Sequence, residues 1–139
     1  MNDKEYKDLK GAIQVHSDRW RTRLGLRWWK IAFEYDRDGS TFRAAQDDGQ
    51  ARRAVAARSQ VSWPYLIATI YFNMPELENI GHEGIEETII HEFCHVLVNE
   101  LREEREDWLD HEERVTTTLT NAFLWTRDDI LKDLAKRRA

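Results

Sequence analysis

The sequence predicts an α+β fold: one small sheet of three strands, covered by helices. Apolar residues recur at helical spacing in the first 24 residues and again in the second half of the chain. Between these regions the pattern alternates with a period of two, and the run YLIATIYFN is apolar at nearly every position. A length of 139 residues suits one domain with a modest core, so residues 1–139 are treated as a single unit.

The first element is a helix from Asp3 to Leu24. Its apolar residues follow helical spacing, and Gly25 stands where a glycine commonly closes a helix. We expect this helix to cover one face of the sheet.

Three strands follow. Arg27–Tyr35 alternates between apolar and polar residues, as expected for a strand with one apolar face. Asp36–Gln50 is polar and contains two Asp-Gly pairs, which indicates a loop or an irregular hairpin. Arg52–Ser62 is a weaker strand, with a short helix as the competing interpretation. Tyr65–Asn73 is predicted to be a strand buried on both faces.

Two helices complete the chain. Pro75 and Gly81 predict that Met74–Gly84 is a turn region. A helix is expected from about Gly84 to Arg105, and a last helix from Glu112 to Lys136.

Composition excludes several classes of protein. The net charge of −5 and the pI near 5.6 argue against a nucleic-acid-binding surface, and the basic residues look dispersed except for the last few. The chain shows no signal peptide and no membrane span, so a cytoplasmic protein without a membrane partner is the expectation. Cys94 is the only cysteine, which excludes an internal disulfide and a cysteine-based zinc cluster. Its apolar surroundings predict a buried thiol.

The most informative stretch reads His-Glu-Phe-Cys-His, residues 91–95. On a helix, His91 and His95 are stacked neighbours and can direct both imidazoles at one metal ion. Glu92 follows the first of them and would flank the metal, where a carboxylate can accept a proton from an activated water. The residues that gather on the opposite side of this helix are apolar: Ile85, Ile89, Phe93, Val96, Leu97 and Leu101. This separation favours a metal site over histidines that are incidental to an amphipathic helix.

A catalytic zinc site takes three protein ligands, so one more is expected on the last helix. His111, Glu112 and Glu113 are the candidates. Glu112 shares the direction of the apolar residues of that helix, where an unpaired carboxylate would be costly and a metal would offset the cost. It is therefore preferred, with Glu113 and His111 left open. The two acids could also simply complement the dipole at the start of the helix.

The motif and the later helix with Glu112, Val115, Thr116 and Leu119 resemble the gluzincins, zinc metallopeptidases whose third ligand is a glutamate on a later helix. The order of elements before the motif looks like that of small metallopeptidases of phages and prophages. A third ligand at His111 would instead resemble the SprT-like type. The resemblance implies a minimal zincin-like domain.

The expected function is therefore that of a zinc-dependent metalloendopeptidase acting on a protein or peptide. Zn2+ would be held by His91, His95 and Glu112, and Glu92 would be the general base. The peptide would lie along the exposed edge formed by Arg52–Ser62. The alternative is a catalytically silent zinc-binding adaptor on the same scaffold. A metal-free interaction protein is a further rival, with its interface formed by Trp20, Trp28, Trp63 and Trp108. The sequence does not predict the oligomeric state.

Overall fold

The computed structural model describes residues 1–44, 55–102 and 109–138. Its helices are α1 (Asp3–Arg23), α2 (Ser40–Ala44), α3 (Met74–Val98) and α4 (Leu109–Arg138), and its strands are β1 (Lys30–Asp36), β2 (Ala57–Ser62) and β3 (Ile67–Asn73). The predicted α+β class with a three-stranded sheet is confirmed.

Helix α1 forms where the spacing of its apolar residues predicted it. The Asn2 side chain accepts a hydrogen bond from the Glu5 backbone, and the Glu5 carboxylate accepts one from the Asn2 backbone. This capping box satisfies two of the free N–H groups at the start of the helix. The helix ends before Gly25, whose φ of +71° is readily adopted by glycine. Buried residues of α1 pack mainly against α3.

The sheet has the order β1-β3-β2, with β1 parallel and β2 antiparallel to β3. β3 is therefore the central strand. The prediction that it is buried on both faces is wrong, because Ala68, Ile70 and Phe72 are buried whereas Ile67, Thr69 and Tyr71 on the other face are exposed or half-buried. The segment Asp36–Gln50 does not join two paired strands, so a hairpin is the wrong interpretation; its first part contains α2. Residues 45–54, including the start of the strand predicted at Arg52, lie outside the described residues.

The turn predicted for Met74–Gly84 is wrong, because α3 already begins at Met74. Pro75 occupies the first turn of this helix, a position where its missing N–H costs nothing. Gly81 does interrupt the helix, with φ +72° and ψ −177°, and the chain becomes helical again directly afterwards. The proline marked a helix start rather than a turn.

Helix α3 crosses β2 and β3 on one face and also packs against α1 and α4. Most of the largest side chains that are fully buried come from α1, β3 and α3, and include Ile13, Ile70, Phe72, Ile89, Ile90 and Phe93. Phe33 of β1 contacts both Phe72 and Phe93. The helix that carries the histidine motif is thus held on several sides. Among the described residues, none of the helices combines the length and apolar character needed to cross a membrane.

Candidate metal centre

His91 and His95 lie one turn apart on α3 and direct their rings toward the same point. Their Nε2 atoms are 3.2 Å apart, and the ring planes are nearly perpendicular. Two hydrogen-bond donors would repel each other at this distance, so at least one of these nitrogens must present its lone pair. The helical spacing therefore brings together two ligand atoms of the kind that transition metals prefer.

Glu113, near the start of α4, completes the group. Its Oε1 lies 3.0 Å from Nε2 of His91, and its Oε2 lies 3.1 Å from Nε2 of His95. Ligand atoms of these three residues lie within 4.8 Å of one another, which makes the group able to hold a metal ion. The Glu113 side chain is about half exposed, so the group opens toward solvent.

Glu112 occupies a different position beside the same histidine. Its Oε1 lies 2.8 Å from Nδ1 of His95, on the side of the ring that faces away from Glu113. Glu112 is only 8% exposed, whereas Glu113 is exposed. An Nδ1–H that donates to Glu112 leaves Nε2 with its lone pair free for a cation.

The helical phase of the last segment favoured Glu112 as the third ligand. Its predicted inward direction agrees with its burial, but the carboxylate that reaches the shared point of the two Nε2 atoms belongs to Glu113. The difference has a physical reason. A ligand in an open site need not lie on the packed face of its helix, and the packed carboxylate meets the far side of the His95 ring. His111 is exposed and is not a member of the group.

Glu92 is buried at the base of the site. It is 4% exposed, and its Oε2 has no hydrogen-bond partner among the described residues. Burial raises the pKa of Glu92 to about 7, while the charge of His95 and a hydrogen bond with Ser59 oppose this rise. Ser59 lies on β2, and this contact depends on how β2 packs beside α3, which no sequence pattern specifies.

Burial also changes the pKa of His91, in the opposite direction to that of Glu92. Removal from water lowers its pKa, and the nearby charge of His95 adds to the effect. Both shifts have one origin: this part of the protein disfavours ionised groups when no cation balances them. A bound cation would offset the cost of burying Glu92 and Glu112 beside it.

The donor set suits a divalent transition-metal ion, and zinc is one of these. Two imidazoles and one carboxylate are typical ligands of catalytic zinc. With bonds of about 2.0–2.1 Å, the ligand atoms of a tetrahedral site lie about 3.3 Å apart. The distances of 3.0, 3.1 and 3.2 Å among the Nε2 atoms and the Glu113 oxygens are close to this value.

The group opens into a cavity of about 430 Å³ between α3, the start of α4 and β2. Besides the four site residues and Glu112, its lining includes Val55, Ala57, Arg58, Ser59, Val61 and Asn99. Within the described residues β2 pairs only with β3, so its other edge lies free beside this cavity. The cavity therefore has room for a chain segment next to the metal-binding group.

Cys94 lies inside the motif but faces the core. It is fully buried, as predicted, and burial raises the pKa of its thiol to about 11. The thiol packs in the core and does not belong to the group formed by His91, His95 and Glu113. Trp108, one of the four tryptophans considered for an interface, lies outside the described residues.

Comparison of the chain with models of protein families, with curated proteins and with solved structures found no match.

Proposed function

We propose that the protein is a zinc-dependent metallopeptidase. One observation carries the proposal: the Nε2 atoms of His91 and His95 and the carboxylate of Glu113 converge beside the buried carboxylate of Glu92. Three ligands leave a coordination position for a reactant, which distinguishes catalytic zinc sites from closed structural ones. The domain would then be a minimal relative of the gluzincins.

In this proposal His91, His95 and Glu113 hold Zn2+, and Glu112 orients His95 through Nδ1. Zinc bound there supplies Lewis acidity, which polarises a peptide carbonyl and lowers the pKa of a water molecule. The carboxylate of Glu112 makes the His95 ring a better electron donor and prevents it from rotating. The two neighbouring glutamates thus have separate tasks.

Glu92 is the general base. It accepts a proton from the attacking water, whose oxygen forms a bond with the carbonyl carbon of the substrate. When the peptide C–N bond breaks, Glu92 passes that proton to the leaving amine. The second proton of the water stays with the new carboxyl group, so the products are a carboxylic acid and an amine, and Glu92 returns to its starting state. Ser59 lines the same cavity and favours the ionised form of Glu92, because it opposes the rise in the pKa of that carboxyl group.

The edge of β2 that pairs with no described strand supports a polypeptide as the substrate. Ser59 and Val61 of this strand line the same cavity as Glu92. An extended peptide can add to such an edge through main-chain hydrogen bonds, which places a peptide bond beside the cavity whatever its side chains are. This mode suits an endopeptidase.

The test is the Glu92→Gln variant, assayed with a quenched fluorescent peptide library and with unfolded casein. We expect the parent to cleave, and the variant to lose at least about 100-fold in rate, because general-base catalysis contributes about that much or more. Zinc content by elemental analysis should be the same in both proteins. Glu78→Gln, an exposed glutamate at the other end of α3, is the matched control and should cleave like the parent.

Three outcomes contradict the proposal. If the Glu92→Gln variant cleaves as fast as the parent, Glu92 is not the general base. If the protein purified without chelator contains no zinc and takes up none, the proposed zinc site does not exist. Stoichiometric zinc without turnover of any substrate identifies the zinc-binding adaptor instead.

A further inference from the structure

Several large apolar side chains are exposed at one end of the sheet. Trp28 exposes 87% of its surface, Tyr65 75% and Leu101 64%. We name this surface the aromatic end; its members are Trp28, Trp63, Tyr65, Leu66, Ile67 and Leu101. Single exposed apolar residues are ordinary in a folded protein, but a group of this size marks an interaction surface.

The fold brings these residues together from three parts of the chain. Because β1 and β3 are parallel, the turns that precede them lie side by side. The backbone N–H of Lys30 donates to the carbonyl of Leu66 over 2.8 Å, which fixes the two turns to each other. The turn Asn99–Arg102, which follows α3, packs against the turn Trp63–Tyr65. The aromatic end is therefore one surface, although its members are up to 73 residues apart in sequence (101 minus 28).

Among the described residues of these turns and their neighbours, basic side chains outnumber acidic ones. Arg27 and Lys30 are exposed on either side of Trp28, and Glu100 is the only carboxylate in the described turns. Residues 19–33 contain five basic side chains and no acidic one, while the chain carries a net charge of −5. The basic residues were expected to be dispersed except for the last few, but five of them lie within this stretch.

We propose that the aromatic end docks onto the surface of an anionic lipid bilayer. Trp and Tyr prefer the boundary between headgroups and acyl chains, and Arg27 and Lys30 would meet the anionic headgroups. The aliphatic tips Leu66, Ile67 and Leu101 favour a bilayer over single-stranded nucleic acid, which would use rings and cations but not these side chains. The proposal does not depend on the metal centre and replaces the expectation that no membrane is involved.

The experiment is flotation of the full chain with lipid vesicles. Vesicles of phosphatidylcholine with about 30% phosphatidylglycerol should bind the protein at low salt, and pure phosphatidylcholine should bind it much more weakly. Trp28→Ala and Tyr65→Ala should each weaken binding about tenfold, because each removes one large apolar group from the contact. The double variant Arg27→Gln/Lys30→Gln should weaken it about 30-fold.

Trp125→Ala is the matched control, because Trp125 is 70% exposed on α4, outside the aromatic end. It should bind vesicles like the parent. Circular dichroism and melting temperature should be unchanged in all of these variants, since the replaced side chains are exposed. Absence of vesicle binding, equal binding to neutral vesicles, or an equal loss with Trp125→Ala overturns the proposal. A dimer that Trp28→Ala dissociates, or binding to a single-stranded oligonucleotide in place of vesicles, overturns it as well.

Discussion

Oε1 of Glu112 lies 2.8 Å from Nδ1 of His95, while the other ring nitrogen of the same histidine faces Glu113 at 3.1 Å. One imidazole is therefore held between two consecutive glutamates. The first is buried and the second is exposed. This arrangement assigns different chemistry to adjacent residues of α4, because only Glu113 reaches the point that His91 also faces.

The first prediction separates the two glutamates by their effect on zinc affinity. Glu113→Gln should remove a ligand, so stoichiometric zinc should be lost in competition with a chromophoric chelator. Glu112→Gln should keep zinc but bind it about 10- to 100-fold more weakly, the usual cost of removing a carboxylate that orients a ligating histidine. Each variant preserves side-chain size, so each serves as the control for the other. If Glu112→Gln loses zinc and Glu113→Gln retains it, Glu112 is the third ligand after all.

The sequence predicted the local part of the site better than the part that depends on packing. The spacing of His91 and His95 is a property of one helix, and the structure brings their Nε2 atoms together. The choice between Glu112 and Glu113 depends on how α4 approaches α3, which helical phase does not specify. The contact of Ser59 with Glu92 depends on sheet order, which is also non-local.

The same difference between local features and features that depend on packing holds for the fold. Repeating patterns identified α1, α4 and β1, because burial of one face imposes a period on the sequence. A continuous apolar run identified β3, whereas the strand prediction that includes β2 was weaker. The first part of α3 was missed, since proline and glycine were interpreted as turn residues, although Pro75 is compatible with the first turn of a helix. Trp28 and Trp63 of the aromatic end were considered for an interface from the sequence. The exposure of Tyr65, Leu66 and Leu101 was not predicted, because the patterns of their segments indicated burial.

The second prediction concerns a buried carboxylate that connects three helices. Glu86 of α3 accepts a hydrogen bond of 2.8 Å from Nε1 of Trp20 on α1 and forms an ion pair with Arg127 on α4. Glu86→Ala would leave both donors without this partner. Because Arg127 is partly exposed, we expect a loss of about 2–3 kcal/mol in the free energy of unfolding, below the usual cost for a fully buried pair.

Urea unfolding of the parent and the variant measures this loss. Glu83→Ala replaces an exposed glutamate of the same helix and should change stability by less than about 0.5 kcal/mol. Equal stability of Glu86→Ala and Glu83→Ala would show that the three-helix contact contributes nothing.

The third prediction is a pH dependence of stability due to His16. Burial lowers the pKa of His16 below its ordinary value of 6.5, although the charge of Glu86 opposes this shift. Its Nδ1 is buried without a hydrogen-bond partner among the described residues. A histidine with a lowered pKa binds protons more readily in the unfolded chain, so stability is highest above pH 6.5 and falls as the pH drops from there toward the lower folded-state pKa.

Unfolding curves between pH 5 and 8 test this dependence by comparing the parent with His16→Gln. The variant should lose less stability on acidification than the parent, because its residue 16 does not titrate. His82→Gln, which replaces an exposed histidine, should retain the larger part of the dependence. Identical slopes for the parent and His16→Gln would exclude His16 as the cause.

The fourth prediction compares two helical glycines that differ in backbone conformation. Gly81 has a φ of +72° and a ψ of −177°, a conformation that is essentially restricted to glycine, and it sets the break within α3. Gly11 lies inside α1, and a Cβ atom added there would have no neighbour within 4 Å. Gly81→Ala should therefore destabilise the protein by about 1–3 kcal/mol through backbone strain. Gly11→Ala should stabilise it by about 0.5–1 kcal/mol, because alanine favours the helix and loses less entropy on folding.

A Cβ atom at Gly81 would also meet nothing within 4 Å, so a difference between the variants measures backbone conformation and not steric contact. Thermal and urea unfolding of both variants decide the matter: if Gly81→Ala is as stable as Gly11→Ala, the break in α3 is not required by the fold.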